Sequence, residues 1–238
     1  MNAERTKSAG PALLALGFVG GMAVFGLLLG QAAKGYKRLD EFVTVKGLSE
    51  REMPANLVIW PVSYSLSDEN LTKLQEHMKD TRIIVREFLK TGGFEDSEIS
   101  NAPPAIREVR ISPTKEAPAP LPPRYEATVT VLLRTDKVQA VKAALENCDK
   151  LVEKGILLSN AARVQFLFTG LNAIKPEMIG EANKNARIAA GKFAEDSGMK
   201  IGRIRHAYQG PFEIEDVDES SPDRKSIRVV TTVDFFFD

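Results

Sequence analysis

Residues 176–198 read PEMIGEANKNARIAAGKFAEDSG, and the fold follows from them. Proline is at home in the first helical turn, so Pro176 is expected to open a helix and Gly198 to end it. The apolar residues Met178, Ala182, Ala186, Ala189 and Phe193 recur at helical spacing and form one stripe. Three of the five are alanines, so the backbone of this helix can lie close against whatever it covers. A small-residue stripe suits the flat surface of a β-sheet, which points to a helix-on-sheet architecture.

Strands are legible on both sides of that helix. Downstream, residues 201–208 and 227–237 alternate as strands, separated by the acidic stretch EIEDVDESSPD over 213–223. Upstream, 42–46, 57–64, 106–111, 125–133 and 163–168 also alternate. Pro61 inside the second of these argues for an edge position or a bulge. Ser67 or Asp68 is placed to cap a helix to about Lys90, with its stripe on Leu71, Leu74, Met78, Val85 and Phe88 and its end at Gly92-Gly93. Asp136 is placed to cap another, with its stripe on Val138, Val141, Leu145, Cys148 and Val152 and its end at Gly155. The order β-β-α-β-β-α-β-α-β-β predicts an α+β domain over 42–238, a mainly antiparallel sheet with helices packed on it. Two early β-β-α units hint at duplication, with no residue-level repeat.

The N-terminus predicts an address. Ser8 to Ala33 is an uncharged run of 26 residues, flanked by Arg5 and Lys7 and by Lys34, Lys37 and Arg38. The expected division is a cytoplasmic tail at 1–10, a transmembrane anchor at 11–33 and a polar stalk at 34–41. At 1.5 Å per residue the apolar run reaches about 35 Å, enough for a hydrocarbon core of about 30 Å. Gly30-Gln31-Ala32 resembles a cleavage site, but a signal core is about 7–15 residues, so length favours a retained anchor. Gly17 with Gly21, and Gly26 with Gly30, have the GxxxG spacing that lets membrane helices approach closely. With a bacterial source, the expected topology is single-pass in the inner membrane with the domain in the periplasm, and the anchor's partner is membrane lipid.

Composition excludes several classes. Basic and acidic residues balance at 32 each, and residues 34–238 carry 30 against 31. No basic surplus suits nucleic acid. The nearest cluster, Lys200, Arg203, Arg205 and His206, is interleaved with Ile201 and Ile204 and reads as a solvated strand edge. Cys148 is the single cysteine, which excludes an internal disulfide and a cysteine-based zinc site. Its place in a helical stripe reads as a small buried hydrophobe. The two histidines, His77 and His206, lie far apart in sequence. Glu213, Glu215, Asp216, Asp218, Glu219 and Asp223 lack EF-hand spacing. There is no GxSxG, Walker loop or GxGxxG. No catalytic residue, metal site or cofactor is therefore assigned.

Several short stretches together resemble the SIMPL-domain family: Phe42-Val43-Thr44-Val45-x-Gly47 with Pro54 and the strand to Tyr64, Gly93-Phe94 with Ile99, and Tyr125-x-Ala127-x-Val129. The nearest likeness is Glu181-Ala182-x-x-x-Ala186-Arg187-x-Ala189-Ala190-x-x-Phe193-Ala194, followed by Gly198 and the strand to Tyr208. The resemblance covers about residues 40–238. It implies a bacterial envelope protein, exported or membrane-anchored, in a family some of whose members are described as oxidative-stress-defence proteins and which has no established enzymatic activity. It supplies no catalytic residues. Two departures stand out: a proline-rich insert at 112–123, and a retained-looking anchor that puts a soluble periplasmic location in doubt.

Two functional classes follow. The leading one is a non-enzymatic envelope protein that works by homo-oligomerisation or by binding other proteins. The alternative is a small-molecule or metal-dependent stress-protection enzyme whose site is built from scattered residues. For the first, the C-terminal strand supplies candidates. Ile227, Val229, Thr231, Val233, Phe235 and Phe237 form an apolar core-facing row. Phe236 and Val230 interrupt the opposite polar face and are expected at a subunit contact.

Overall fold

The computed structural model describes residues 17–28, 41–109, 124–159 and 163–237. The tail at 1–10, Gly30, most of the stalk, and the proline-rich insert at 112–123 lie outside them. Of the expected 11–33 span, residues 17–28 form a helix, α1, whose Phe18, Val19, Met22, Phe25 and Leu28 are all exposed. Among the described residues no helix is long and apolar enough to cross a membrane. Among the described residues, nothing beyond the helix's own backbone and the chain neighbours lies within 4 Å of a methyl added at Gly17, Gly21 or Gly26.

The α+β class with antiparallel sheets is observed. The strands are β1 (Phe42–Pro54), β2 (Leu57–Asp68), β3 (Ile99–Asn101), β4 (Ala105–Val109), β5 (Arg124–Thr135), β6 (Gln165–Leu167), β7 (Ile201–Asp216) and β8 (Arg224–Phe237). The remaining helices are α2 (Leu71–Thr91), α3 (Val138–Glu146), α4 (Asp149–Glu153) and α5 (Leu171–Asp196). One sheet has the order β1-β8-β7; the other has β3-β5-β2-β6, with β4 also pairing β5. The chain divides into two compact units. The first holds residues up to 49, 177–212 and 229–238; the second holds 50–176 and 213–228.

In the second unit, β2 and β5 pair antiparallel from Val58↔Thr135 to Asp68↔Tyr125. Period-two burial puts Val58, Trp60, Val62 and Tyr64 of β2, with Ala127, Val129, Val131 and Leu133 of β5, into one core. α2 covers it with Leu74, Met78, Val85 and Leu89. Its cap is Asn70, whose side chain accepts from the Thr72 and Lys73 amides, while Asp68 accepts from the Asn70 amide. The expected caps at Ser67 or Asp68 were thus two or three residues early, because Asx geometry favours the nearer side chain. Gly93, at φ 89°, turns the chain after the helix.

Several expectations are corrected here. The strand expected at 106–111 is β4, and a further short strand that was not expected, β3, precedes it; both pair with β5, and Ile111 lies outside the described residues. The helix expected from Asp136 is broken into α3 and α4 around Asn147 and Cys148, so Val141, Ala144 and Leu151 are buried while Val152 is exposed. Asn147 feeds this break by donating its side-chain amide to the Ala143 carbonyl. β2 is central, not an edge. Its β6 pairing ends at Ile59, so Pro61 falls beyond it and costs no bond on that side.

In the first unit, Val45 of β1, Val233 and Phe235 of β8, and Ala186 and Ala190 of α5 form the core. The buried row of α5 is Met178, Ala182, Ala186, Ala190 and Ala194, stepping strictly by four. The expected stripe drifted onto Phe193, which is 56% exposed, because it stepped by three from Ala186 to Ala189 where the buried row keeps its step of four. Contact with β1 is close: a Cβ on Gly47 would lie 2.5 Å from the Ala186 backbone nitrogen and inside the Ala182 carbonyl oxygen. α5 also begins before Pro176, which lies inside it and forfeits one backbone bond.

Two strands outrun their sequence patterns. β1 continues through the polar 47–54 stretch because its polar groups find partners: Ser49 donates to Glu181, Ser226 to Glu50, and Arg224 to Glu52. β7 continues through Glu213–Asp216, where Lys225 pairs with Asp216. The expected acidic loop therefore shrinks to the turn at Val217–Asp223, closed by the Val217 amide donating to Arg224.

Candidate functional site

β8 is flanked by β1 and β7, and its residues alternate between buried and half-buried faces. Ile227, Val229, Thr231, Val233 and Phe235 point inward and are buried, as their apolar row predicts. Phe237 does not join the core; it is half-buried, and its amide donates to the Glu41 carbonyl. Strands fray toward their ends, so the last aromatic of the row loses its cover.

The opposite face in the first unit carries a layer of arginine on aromatic rings. The Arg205 guanidinium lies 4.3 Å from the Phe42 ring centroid and 5.8 Å from that of Phe236. Arg203 lies 5.3 Å from Phe236. Such cation–π stacks are worth about 0.5–1 kcal/mol each at exposed sites. They arise because strand order puts Phe42 of β1, Phe236 of β8 and the arginines of β7 in one row. Beside them, Thr44 donates to Asp234 at 2.7 Å, and His206 Nδ1 lies 3.7 Å from the same carboxylate. Of the two residues expected at a subunit contact, Phe236 is roofed by arginines of its own chain, and Val230 is half-buried. Tyr208 and Ile204, on β7, are more open at 70% and 48%. Sequence reading missed Phe42, Arg203 and Arg205 as members of one surface, because nothing local reveals which strands are neighbours.

Two of the concavities among the described residues bear on these candidates. One, of about 370 Å³, lies in the first unit between α5 and the sheet, with Lys184 and Arg187 above Ile204 and Phe235. The other, of about 520 Å³, lies in the second unit beside β2, lined by Trp60, Ser63, Leu145, Cys148 and Arg163 among others. Cys148 is half-buried and packs on the core, and its thiol donates to the Ala144 carbonyl at 3.6 Å. Burial, with a smaller push from Asp149, raises its pKa, which keeps the thiol protonated and unreactive near neutrality.

The remaining candidates are dispersed. His77 is 3.9 Å from Asp68 in the second unit, while His206 is in the first. The acidic residues are used singly: Asp216 on Lys225, Asp218 on Ser220, and Asp223 on Lys142, whose ammonium holds that carboxyl below the usual range. Among the described residues no three His, Cys, Asp or Glu side chains converge to hold a metal ion. What the described residues of the first unit offer chemically is a cationic-aromatic surface on the exposed strand β7.

Comparison with known proteins adds the family. No curated protein matches the chain. A family model described as SIMPL, protein of unknown function (DUF541), matches residues 43–235, from the second residue of β1 to two residues before the end of β8, with Arg203 and Arg205 inside the match and Phe42 and Phe236 just outside it. The chain belongs to the SIMPL family.

Proposed function

We propose that this chain is a membrane-anchored envelope protein that works non-enzymatically, by assembling with itself or by binding other proteins. The observation that carries the reading is the Phe42–Arg205–Phe236–Arg203 layer beside the exposed strand β7. Arginine and aromatic side chains are enriched at protein interfaces, where a desolvated guanidinium on a ring gains strength. Anchoring is supported by the uncharged run Ser8–Ala33 and by the large apolar side chains exposed all along α1. On this reading the domain lies in the periplasm of a bacterial cell, with the stress-defence role that the family resemblance implies.

The full-length protein, purified in detergent, tests this by light scattering and by metal analysis of the same sample. A dimer or larger species without stoichiometric metal supports assembly. A monomer carrying stoichiometric metal supports the second reading, a small-molecule or metal-dependent protective enzyme, for which the Trp60–Cys148 cleft is the favouring observation. Protease added to spheroplasts should degrade the domain. Protection, or a mature N-terminus at Ala33, would overturn the anchor.

A further inference from the structure

β7 is a strand of 16 residues with none buried. β8 occupies one of its edges, and among the described residues no strand occupies the other. The edge of a sheet presents a row of backbone donors and acceptors at the spacing another strand would match. The distribution of charge along β7 indicates which strand that is. Arg203 and Arg205 lie in its first half, and Glu213 and Glu215 in its second.

We propose that β7 of one copy pairs antiparallel with β7 of a second copy, about a two-fold axis through Gln209. The proposal deepens the assembly reading and rests on it. With Gln209 opposite itself, Arg203 faces Glu215, Arg205 faces Glu213, and Ile204 faces Ile214. The same pairs recur on the other side of the axis, as an isologous interface requires. Directly opposed residues of an antiparallel pair share a face and interact most strongly, and opposite charges there are favourable.

Other registers lose this match. A slip by one residue in one direction sets Arg203 against Ile214 and Arg205 against Phe212. A slip in the other sets Arg205 against Ile214 and keeps a single opposite-charge pair, Arg203 with Asp216, whose carboxylate Lys225 already holds. Parallel pairing in register would oppose arginine to arginine and glutamate to glutamate. Ile204 and Ile214 are both exposed in the single chain, and pairing covers them. Pro211 takes one donor out of the ladder, which suits an edge strand and restrains pairing with unrelated strands.

The test uses full-length protein in its membrane, with Cys148→Ala as background. Gln209→Cys should form a dimer on mild oxidation, reversed by reductant, because opposed antiparallel residues lie within disulfide reach. Lys73→Cys on α2 serves as the control and should not. Arg203→Glu with Arg205→Glu should lower the Gln209→Cys yield by about fivefold or more, as should Glu213→Arg with Glu215→Arg. Combining all four substitutions should restore it. Because the glutamates are exposed and outside the arginine–aromatic layer, their variant separates lost pairing from lost folding. A Gln209→Cys yield no higher than the control, or charge reversals that fail to rescue one another, would overturn the pairing. If the wild-type chain is then still oligomeric, assembly stands on another surface; if it is monomeric, the assembly reading falls as well.

Discussion

Gly47→Ala is the sharpest probe of how α5 sits on β1. The added methyl would stand 2.5 Å from the Ala186 nitrogen and 2.9 Å from the Ala182 carbonyl carbon, and nearer still to that carbonyl's oxygen. Ordinary contact begins near 3.4 Å, so helix and strand must part by about 1 Å. All three atoms are backbone, and no rotamer change relieves the clash. Overpacking of this kind costs about 1–3 kcal/mol. Lifting α5 also loosens Ala182, Ala186 and Ala190 from the sheet, and a gap of 0.5–1 Å forfeits a quarter to a half of each contact well. The expected cost is about 3 kcal/mol or more, or roughly 6–12 °C in melting temperature for a chain of this size. Urea unfolding followed by far-UV circular dichroism measures it. Gly180→Ala is the control: it lies on the same helix with open space around it, and should stabilise by about 0.5–1 kcal/mol through helix propensity. If Gly47→Ala unfolded within 0.5 kcal/mol of wild type, the close approach of α5 to β1 would be wrong.

Further outcomes follow from single groups. Tyr64 is fully buried with an unpartnered hydroxyl, and burial pushes its pKa up to about 12 against a smaller opposing pull from Arg82; Tyr64→Phe should therefore stabilise by about 1 kcal/mol in urea titrations. A raised folded-state pKa means the protonated form holds the fold, so its contribution is intact below pH 10 and lost as pH climbs toward 12. Wild type should weaken over that window more than Tyr64→Phe does, and parallel pH profiles would refute the assignment. Asp216→Ala should cost more than Lys225→Met, by about 2 kcal/mol, because the first strands the buried Lys225 ammonium and the second removes it; equal midpoints would contradict this. Cys148 should react slowly with thiol reagents at pH 7 and faster under alkaline conditions, and rapid labelling of the native chain would show the thiol to be less shielded than its packing requires.

The local patterns determined most of the elements. Alternation at 57–64 and 125–133 is the signature of a strand with one face in a core, and both strands are there with that face buried. The alanines of residues 176–198 predicted a helix lying close on a sheet, and Ala182 and Ala186 do lie against Gly47. These readings succeed because burial on one face imposes a period that neighbours along the chain share. What the tertiary structure alone decided involves partners distant in sequence. The polar second half of β1 is a strand because Ser49, Glu50 and Glu52 find Glu181, Ser226 and Arg224, each more than a hundred residues away. Phe193 faces outward because the contact of Ala182 and Ala186 with Gly47 of β1 selects the row ending in Ala194. Phe236 is roofed by its own arginines, and β7 ends the three-stranded order among the described residues, because β8 lies between β1 and β7. Strand order is set by the burial and pairing of the whole sheet at once, and no window of sequence contains that information.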